Sequence, residues 1–193
     1  MDQPFLLTVG RIEPRKNPIQ VLRAYDMFRR SVPDAPKLVF AGMKTWSAKQ
    51  FDRTVSQLGL QNSIIQLGYV PQEYLPALYA ASEFAVYASL WEGFGLPVLE
   101  AYASGTPLIA SRTTSLPEVS GGACLLVDPN SAEDIAAAMR TLHADPALRE
   151  RLVSLGHKRV ASFSWDRTAQ ETLNIYSALA TGACGRNSTI QST

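Results

Sequence analysis

The sequence predicts an α/β fold, a parallel sheet covered by helices on both faces. Two observations point there. Short apolar runs alternate with longer amphipathic ones through most of the chain. The strand-like runs are mostly stopped by glycine or turn residues, at the spacing of strand–helix units. Right-handed crossovers then place every strand's C-terminal end along one edge of the sheet, where ligands of such folds bind.

The elements follow in order. Phe5 to Val9 (FLLTV) is a buried strand ending at Gly10-Arg11. Asn17-Pro18 opens a helix, since proline suits the first helical position and asparagine is a good N-cap. Its rough apolar face is Ile19, Leu22, Ala24, Met27 and Phe28. Lys37 to Ala41 is a second strand, stopped by Gly42. Ser47 to Leu58 is a helix closed by Gly59. Ser63 to Leu67 is a third strand, stopped by Gly68, and Pro71 to Ala81 is a short helix. Phe84 to Ala88 (FAVYA) is a strand. Leu96 to Ser104 is a helix closed by Gly105, and Pro107 to Ala110 is the next strand. Ala123 to Val127 is a last short strand. Ser131-Ala-Glu-Asp is a capping box for the first of three closing helices. Asp145-Pro146 opens the second, and Ser164-Trp165-Asp166 the third, which fades near Ala180. Residues 1–180 are read as one domain. Thr181 to Thr193 has no apolar period and is expected to be disordered.

The composition narrows the function classes. With 193 residues, 46% hydrophobic and 18% charged, the chain can build a core and is not a disordered polyelectrolyte. A net charge of +1 argues against general binding to nucleic acid. No apolar run approaches the ~18 residues of a membrane span, and the N-terminus lacks the pattern of a signal peptide. A cytoplasmic location follows, with peripheral contact at the inner membrane face left open for a longer enzyme. Cys124 and Cys184 form no C-x-x-C motif. His143 and His157 lie in helical stretches and read as surface or packing residues, so no metal-ligand cluster is expected. Asn187-Ser188-Thr189 fits a glycosylation acceptor pattern by chance in a chain without an export signal.

Three constellations carry chemistry. The first is Gly10-Arg11-Ile12-Glu13-Pro14-Arg15-Lys16-Asn17-Pro18, between the first strand and its helix. Cations beside a helix N-terminus suit a phosphate; a solvated basic loop is an equal reading of this segment alone. The second is Ser89 to Glu100, which follows the FAVYA strand. Gly93-Phe94-Gly95 permits a tight turn and close approach of a ligand to backbone N–H groups. Glu92 and Glu100 offer two carboxylates, good acceptors for pairs of sugar or ribose hydroxyls; Glu100 is otherwise an ordinary helix glutamate. The third is Gly105-Thr106-Pro107 with Ser115-Leu116-Pro117-Glu118-Val119, where turn chemistry is the default and Glu118 falls in a loop on the ligand edge. There is no Asp-x-Asp pair for a divalent metal, no G-x-x-x-x-G-K-[ST] loop, no G-x-G-x-x-G after the first strand and no G-x-S-x-G elbow. The missing G-x-G-x-x-G argues against a nicotinamide-dependent oxidoreductase domain.

Arg11 and Lys16 in GRIEPRKN, the E-x7-E pair Glu92 and Glu100 in EGFGLPVLEA, and the runs ASGTPLIAS, SLPEVSGGACLLVDP and FSWDRTA resemble the C-terminal domain of the group 1 (family 4) glycosyltransferases. The resemblance runs from about Phe5 to about Leu179. It implies a Rossmann-like three-layer α/β/α domain, the donor-binding half of a GT-B enzyme that retains anomeric configuration without a metal. It further implies that Gly10, Arg11 and Lys16 meet the diphosphate of a UDP-, GDP- or ADP-sugar. Glu100 would bind the ribose, and Glu92 with the backbone of Gly93, Phe94, Gly95 and Leu96 the transferred sugar and distal phosphate. Gly68, Tyr69 and Val70 would flank the base. Arg11, Lys16 and Glu92 carry the catalytic roles in this reading, with Glu92 positioning and electrostatic rather than covalent. SLWEGFGLPVLEAYASGTP looks somewhat like enzymes that use GDP-mannose or a related hexose donor. The expected acceptor is a glycan or glycolipid, met through an N-terminal domain that family members carry and this sequence does not. Alone, the domain is expected to transfer little or nothing, and a non-catalytic nucleotide-sugar-binding module is the alternative.

Overall fold

The computed structural model describes residues 4–46 and 48–180. Its six strands are β1 (Phe5–Val9), β2 (Lys37–Ala41), β3 (Ile64–Gly68), β4 (Phe84–Tyr87), β5 (Leu108–Ser111) and β6 (Leu125–Val127). They form one parallel sheet in the order β3-β2-β1-β4-β5-β6. The order reverses between β1 and β4, so a crevice opens at the C-terminal ends of that pair. The helices are α1 (Pro18–Ser31), α2 (Ala48–Gln57), α3 (Leu75–Ala81), α4 (Leu96–Ala103), α5 (Leu116–Ser120), α6 (Ala132–Ala144), α7 (Pro146–Val160) and α8 (Trp165–Ala180). The sheet and α1 to α7 belong to one compact unit, which ends at Val160; α8 belongs to a second, which begins at Ala161. The expected disordered segment 181–193, with Cys184 and the Asn187 motif, lies outside the described residues.

Both faces of the central strands β1, β2, β4 and β5 are buried, as short apolar strands require. Leu6, Leu38, Phe40, Val86 and Ile109 join α1, α2 and α6 in one cluster around Tyr25, Phe28, Phe51 and Met139. Their strand neighbours Leu7, Val39, Ala85 and Leu108 point to the other face by the two-residue period and are equally buried. On that side α4 touches α3, α5 and α7. His143 packs edge-on to Phe28 at 5.5 Å and pairs with Glu83 at 2.8 Å. In the second unit, α8 is capped by Ser164, whose Oγ accepts the Arg167 N–H, and it carries no buried residue.

Three of the sequence readings shift, each for a local reason. Gly68 does not stop β3 but ends it, pairing with Ala41 across a register shift, at φ +69°. Pro76 has no N–H for the first helical bonds, so the helix expected from Pro71 begins as a 3-10 turn at Gln72–Tyr74 and becomes α-helical at Leu75. The segment Ser115 to Val119, read as a loop, forms the short helix α5, started by Pro117 and ended by Gly121 in the left-handed region. Ser131 caps α6 as expected, accepting from the Asp134 N–H at 3.1 Å. The return half of that capping box is absent, because the Asp134 carboxylate accepts from the Asp128 N–H at 2.7 Å.

Candidate functional site at the β1–β4 crevice

Two loops meet at the crevice. The first leaves β1 at Gly10, whose N–H donates to Ala41 O at 2.9 Å, and closes in a 3-10 turn at Pro14–Lys16. Gly42 packs so close to Gly10 that any side chain on it would run into the Gly10 carbonyl. The second loop leaves β4 and runs to Gly95, the N-cap of α4, in the left-handed region at φ +104°. A Cβ on Gly95 would stand 2.5 Å from Leu116 Cδ2, so turn geometry and packing both demand glycine.

Asn17 ties the loops together. It holds the N-cap position of α1, but at φ +60° its side chain makes no capping bond. Nδ2 instead donates to Ala88 O at 3.0 Å and Pro129 O at 2.6 Å. The capping role expected of it is therefore replaced by a bridge from β1's loop to the ends of β4 and β6. The Leu90 N–H adds a bond to Arg15 O at 2.9 Å.

Glu92 sits at the centre. It is buried to 8% exposure, and each carboxylate oxygen faces a cation. Lys16 Nζ donates to Oε1 at 2.7 Å and Arg15 Nη1 to Oε2 at 2.7 Å. Lys16 also donates to the Tyr87 hydroxyl at 2.6 Å, and Arg15 reaches Glu13 at 2.9 Å. Burial pushes the Glu92 carboxyl up, but hydrogen bonds from Lys16 and Tyr87 and the Lys16 charge outweigh it and hold the group below its usual range. The Tyr87 phenol is pushed far above its usual range, by burial first and then by Glu92. Burial lowers Arg15, yet its bonds to Glu92 and then Glu13 prevail and raise it. The backbone of this turn is pinned as well. The Glu92 N–H donates to Thr114 Oγ1 at 3.2 Å, and Ser115 Oγ donates to the carbonyls of Glu92 at 3.0 Å and Phe94 at 2.8 Å.

The structure thus brings Gly10, Lys16 and Glu92 together, with the Lys16 stem lying over Gly10. Gly93, Phe94, Gly95 and Leu96 lead from Glu92 into α4, and Glu100 lies within that helix, accepting from Tyr79 Oη at 3.2 Å. Arg11 is exposed, and among the described residues its side chain makes no hydrogen bond or ion pair. Gly68, Tyr69 and Val70 stand at the end of edge strand β3, with β2 and β1 between them and β4. Glu118 is exposed in the first turn of α5, and contact with the Glu92 turn comes from Ser115 instead. The sequence reading gave Arg15 no role of its own, gave Ser115 only turn chemistry, and passed over Tyr79, Tyr87 and Thr114. The available signal for Tyr87 was a polar-tipped aromatic at the last position of a strand on the ligand edge. Among the described residues no group of three His, Cys, Asp or Glu is placed to hold a metal ion.

Two cations, the carboxylate between them and a glycine turn thus meet at the topological switch point. Comparison with known proteins names the family. The family model "Glycosyl transferases group 1" matches residues 1–159. The chain belongs to the group 1 glycosyltransferases. It is 38% identical over 177 residues to the O-antigen chain mannosyltransferase B of Escherichia coli, covering 92% of this chain and 46% of that protein. Among solved structures it resembles the sucrose-phosphate synthase of Thermosynechococcus elongatus, with a TM-score of 0.84 and 29% identity, over 94% of this chain and 46% of that one. It also resembles the C-terminal domain of LpcC, a glycosyl transferase group 1 family protein of Francisella tularensis, with a TM-score of 0.73 and 30% identity, over 83% and 87% of the two chains. The chain thus spans less than half the length of that mannosyltransferase and of that synthase. The Rossmann-like α/β architecture expected for one half of a GT-B glycosyltransferase is the architecture found. No helix among the described residues is long and apolar enough to cross a membrane.

Proposed function

We propose that this glycosyltransferase chain binds a nucleoside diphosphate sugar at the β1–β4 crevice and serves the transfer of a hexose, mannose by its relatives' example, to a glycan or lipid-linked acceptor. One observation carries the reading: Lys16 and Arg15 converge on Glu92 at the switch point, with Arg11 exposed on the same loop. Glycosyl transfer needs its departing diphosphate stabilised, and preorganised cations and backbone N–H groups do this best. In this reading Arg11 and Lys16 meet the diphosphate, with Arg15 beside them, so its charge is met without a divalent metal. The N–H groups of Gly93, Phe94, Gly95 and Leu96 lie at the start of α4, where the helix dipole favours an anion. Glu100 accepts from the ribose hydroxyls, and Gly68 to Val70 flank the base.

Glu92 faces the transferred sugar as an electrostatic and positioning group. A carboxylate shared by two cations, with its proton affinity depressed, is a weak base and a weak nucleophile. We read the reaction as retaining anomeric configuration, with no covalent enzyme intermediate at this residue.

The test is calorimetric titration of the chain with UDP-, GDP- and ADP-sugars in the presence of EDTA. Saturable binding to one nucleotide, weakened at least about tenfold in Lys16→Ala and in Glu100→Ala, is expected. Binding that needs a divalent ion, or that both substitutions leave intact, would sink the reading. Retention is read from the one-bond C1–H1 coupling of the glycoside product.

A further inference from the structure

Lys16 Nζ is held on two sides. Glu92 Oε1 lies at 2.7 Å and Tyr87 Oη at 2.6 Å, and the ammonium stands 4.6 Å from the Tyr87 ring centroid. The stem packs over Gly10, where an added Cβ would come within 3.3 Å of Lys16 Cε. Only 14% of the side chain is exposed. An ammonium has three protons, so two of its three bonds are spoken for. The second carboxylate oxygen is held in the same way by Arg15 at 2.7 Å.

Glu92 therefore takes the charge that a diphosphate at these cations would bring. Two anions cannot share Lys16 and Arg15 at close range without repulsion, in a place where burial weakens screening by water. Each therefore weakens the other's hold on the shared cations. The geometry also says what moves. The Glu92 backbone is fixed at both ends, through its N–H to Thr114 Oγ1 and its carbonyl from Ser115 Oγ. The side chain alone can swing, about a fixed Cα.

We infer that the diphosphate of the sugar donor displaces the Glu92 carboxylate from Lys16 and Arg15, and that the freed carboxylate turns to the hydroxyls of the transferred sugar. This rests on the reading of Lys16 as a diphosphate ligand and adds an ion-pair exchange to it. The exchange distinguishes donor from product. A nucleotide sugar offers hydroxyls that compensate the carboxylate it releases. A nucleoside diphosphate that has lost its sugar offers none, so the return of Glu92 to its two cations helps expel it. The same competition weakens the apparent affinity for any bare diphosphate by the fraction of molecules in which Glu92 holds the cations.

The experiment titrates inorganic pyrophosphate into the wild-type chain, Glu92→Gln, Glu118→Gln and Lys16→Gln by calorimetry, with EDTA present and thermal melts confirming that each variant is folded. Glu118 is exposed on α5 and has no assigned role, so Glu118→Gln reads only the loss of a nearby negative charge. The expected result is about tenfold tighter binding in Glu92→Gln, a change within about twofold in Glu118→Gln, and loss of binding in Lys16→Gln. Unchanged or weaker binding in Glu92→Gln, with Lys16→Gln still abolishing it, overturns the exchange and leaves the diphosphate site standing. Equal tightening in Glu92→Gln and Glu118→Gln also overturns it, since general charge then explains everything. Pyrophosphate binding indifferent to Lys16→Gln removes the site and the exchange together. A second readout needs no folded variant to carry it: the side-chain carboxyl 13C resonance of Glu92 in the wild-type chain shifts as pyrophosphate is added, and a stationary resonance at saturation overturns the exchange.

Discussion

Tyr79 Oη donates to Glu100 Oε2 at 3.2 Å across the contact between α3 and α4, and the Tyr79 ring behind it is only 2% exposed. Burial pushes this phenol well above its ordinary range, and the Glu100 charge adds to the effect, so it remains a donor at every working pH. It fixes one oxygen of the carboxylate assigned to the ribose. Tyr79→Phe keeps the ring and removes the bond, at a cost of about 1 kcal/mol in stability. The affinity for the cognate nucleoside diphosphate should fall about fivefold by the same measure. A 2′,3′-dideoxy analogue should bind the two proteins alike, because the hydroxyls that Glu100 orients are gone. Equal losses with both ligands would place the effect in packing rather than in Glu100.

The bridge made by Asn17 predicts an ordered pair of losses. The residue is 6% exposed and its side chain donates to two main-chain carbonyls, while its own backbone is left-handed at φ +60°. Asn17→Gly keeps the backbone and loses both bonds, about 2 kcal/mol. Asn17→Ala loses the same bonds and adds the left-handed penalty of a β-carbon, about 1 kcal/mol more. Urea unfolding at neutral pH should rank wild type above Gly and Gly above Ala. A Gly variant as stable as the wild type would mean that the bridge contributes nothing.

The fold was legible because each strand is a short apolar run with a turn residue after it, and the two chemical loops were legible because their cations, glycines and carboxylates have few structural uses in such places. What escaped was of another kind. Asn17 has the residue type of a helix cap and the position of one. Its left-handed backbone, which no local pattern signals, turns the side chain to Ala88 and Pro129 instead. Tyr79 and Tyr87 look like core aromatics and are buried as such; only their hydroxyls differ, and the partners of those hydroxyls lie 21 and 71 residues away in sequence. Arg15 was visible as a charge but not as a ligand of Glu92, since that pairing depends on the 3-10 turn between Pro14 and Lys16. Helix α5 is five residues long, too short for a hydrophobic period to register.

The caged carboxylate predicts an acid-sensitive contribution to stability. Folding depresses the proton affinity of Glu92, so near and below the ordinary glutamate value of about 4.3 the unfolded chain binds the proton more readily. The stabilisation from this group is therefore complete above that pH and is lost as the pH falls through the lower, folded value. Glu92→Gln removes it at every pH and leaves Lys16 without its carboxylate. The wild type should be the more stable protein at pH 7, and the gap should close as the pH is lowered below about 4. Urea midpoints of both proteins, measured from pH 7 to pH 3, give the comparison. A gap that stays constant over this range would show that Glu92 contributes through shape and not through charge.

Arg11 and Lys16 should separate binding from stability. Both are assigned to the diphosphate, but only Lys16 is built into the fold, through Glu92 and Tyr87. Arg11 is exposed, and among the described residues its side chain has no hydrogen bond or ion pair to lose. Arg11→Ala should therefore change the unfolding free energy by less than about 0.5 kcal/mol, the usual range for such surface positions. It should still weaken binding of the nucleoside diphosphate about tenfold, the worth of one charge-assisted bond to phosphate. Being solvent-facing, its share should shrink as salt is raised from 50 to about 500 mM, where exposed charges are screened within a few ångströms. Lys16→Ala should lower both affinity and stability, because it strands a buried carboxylate on Arg15 alone. If Arg11→Ala leaves the affinity unchanged at low salt, Arg11 is a solvated loop residue, and the diphosphate site reduces to Lys16, Arg15 and the start of α4.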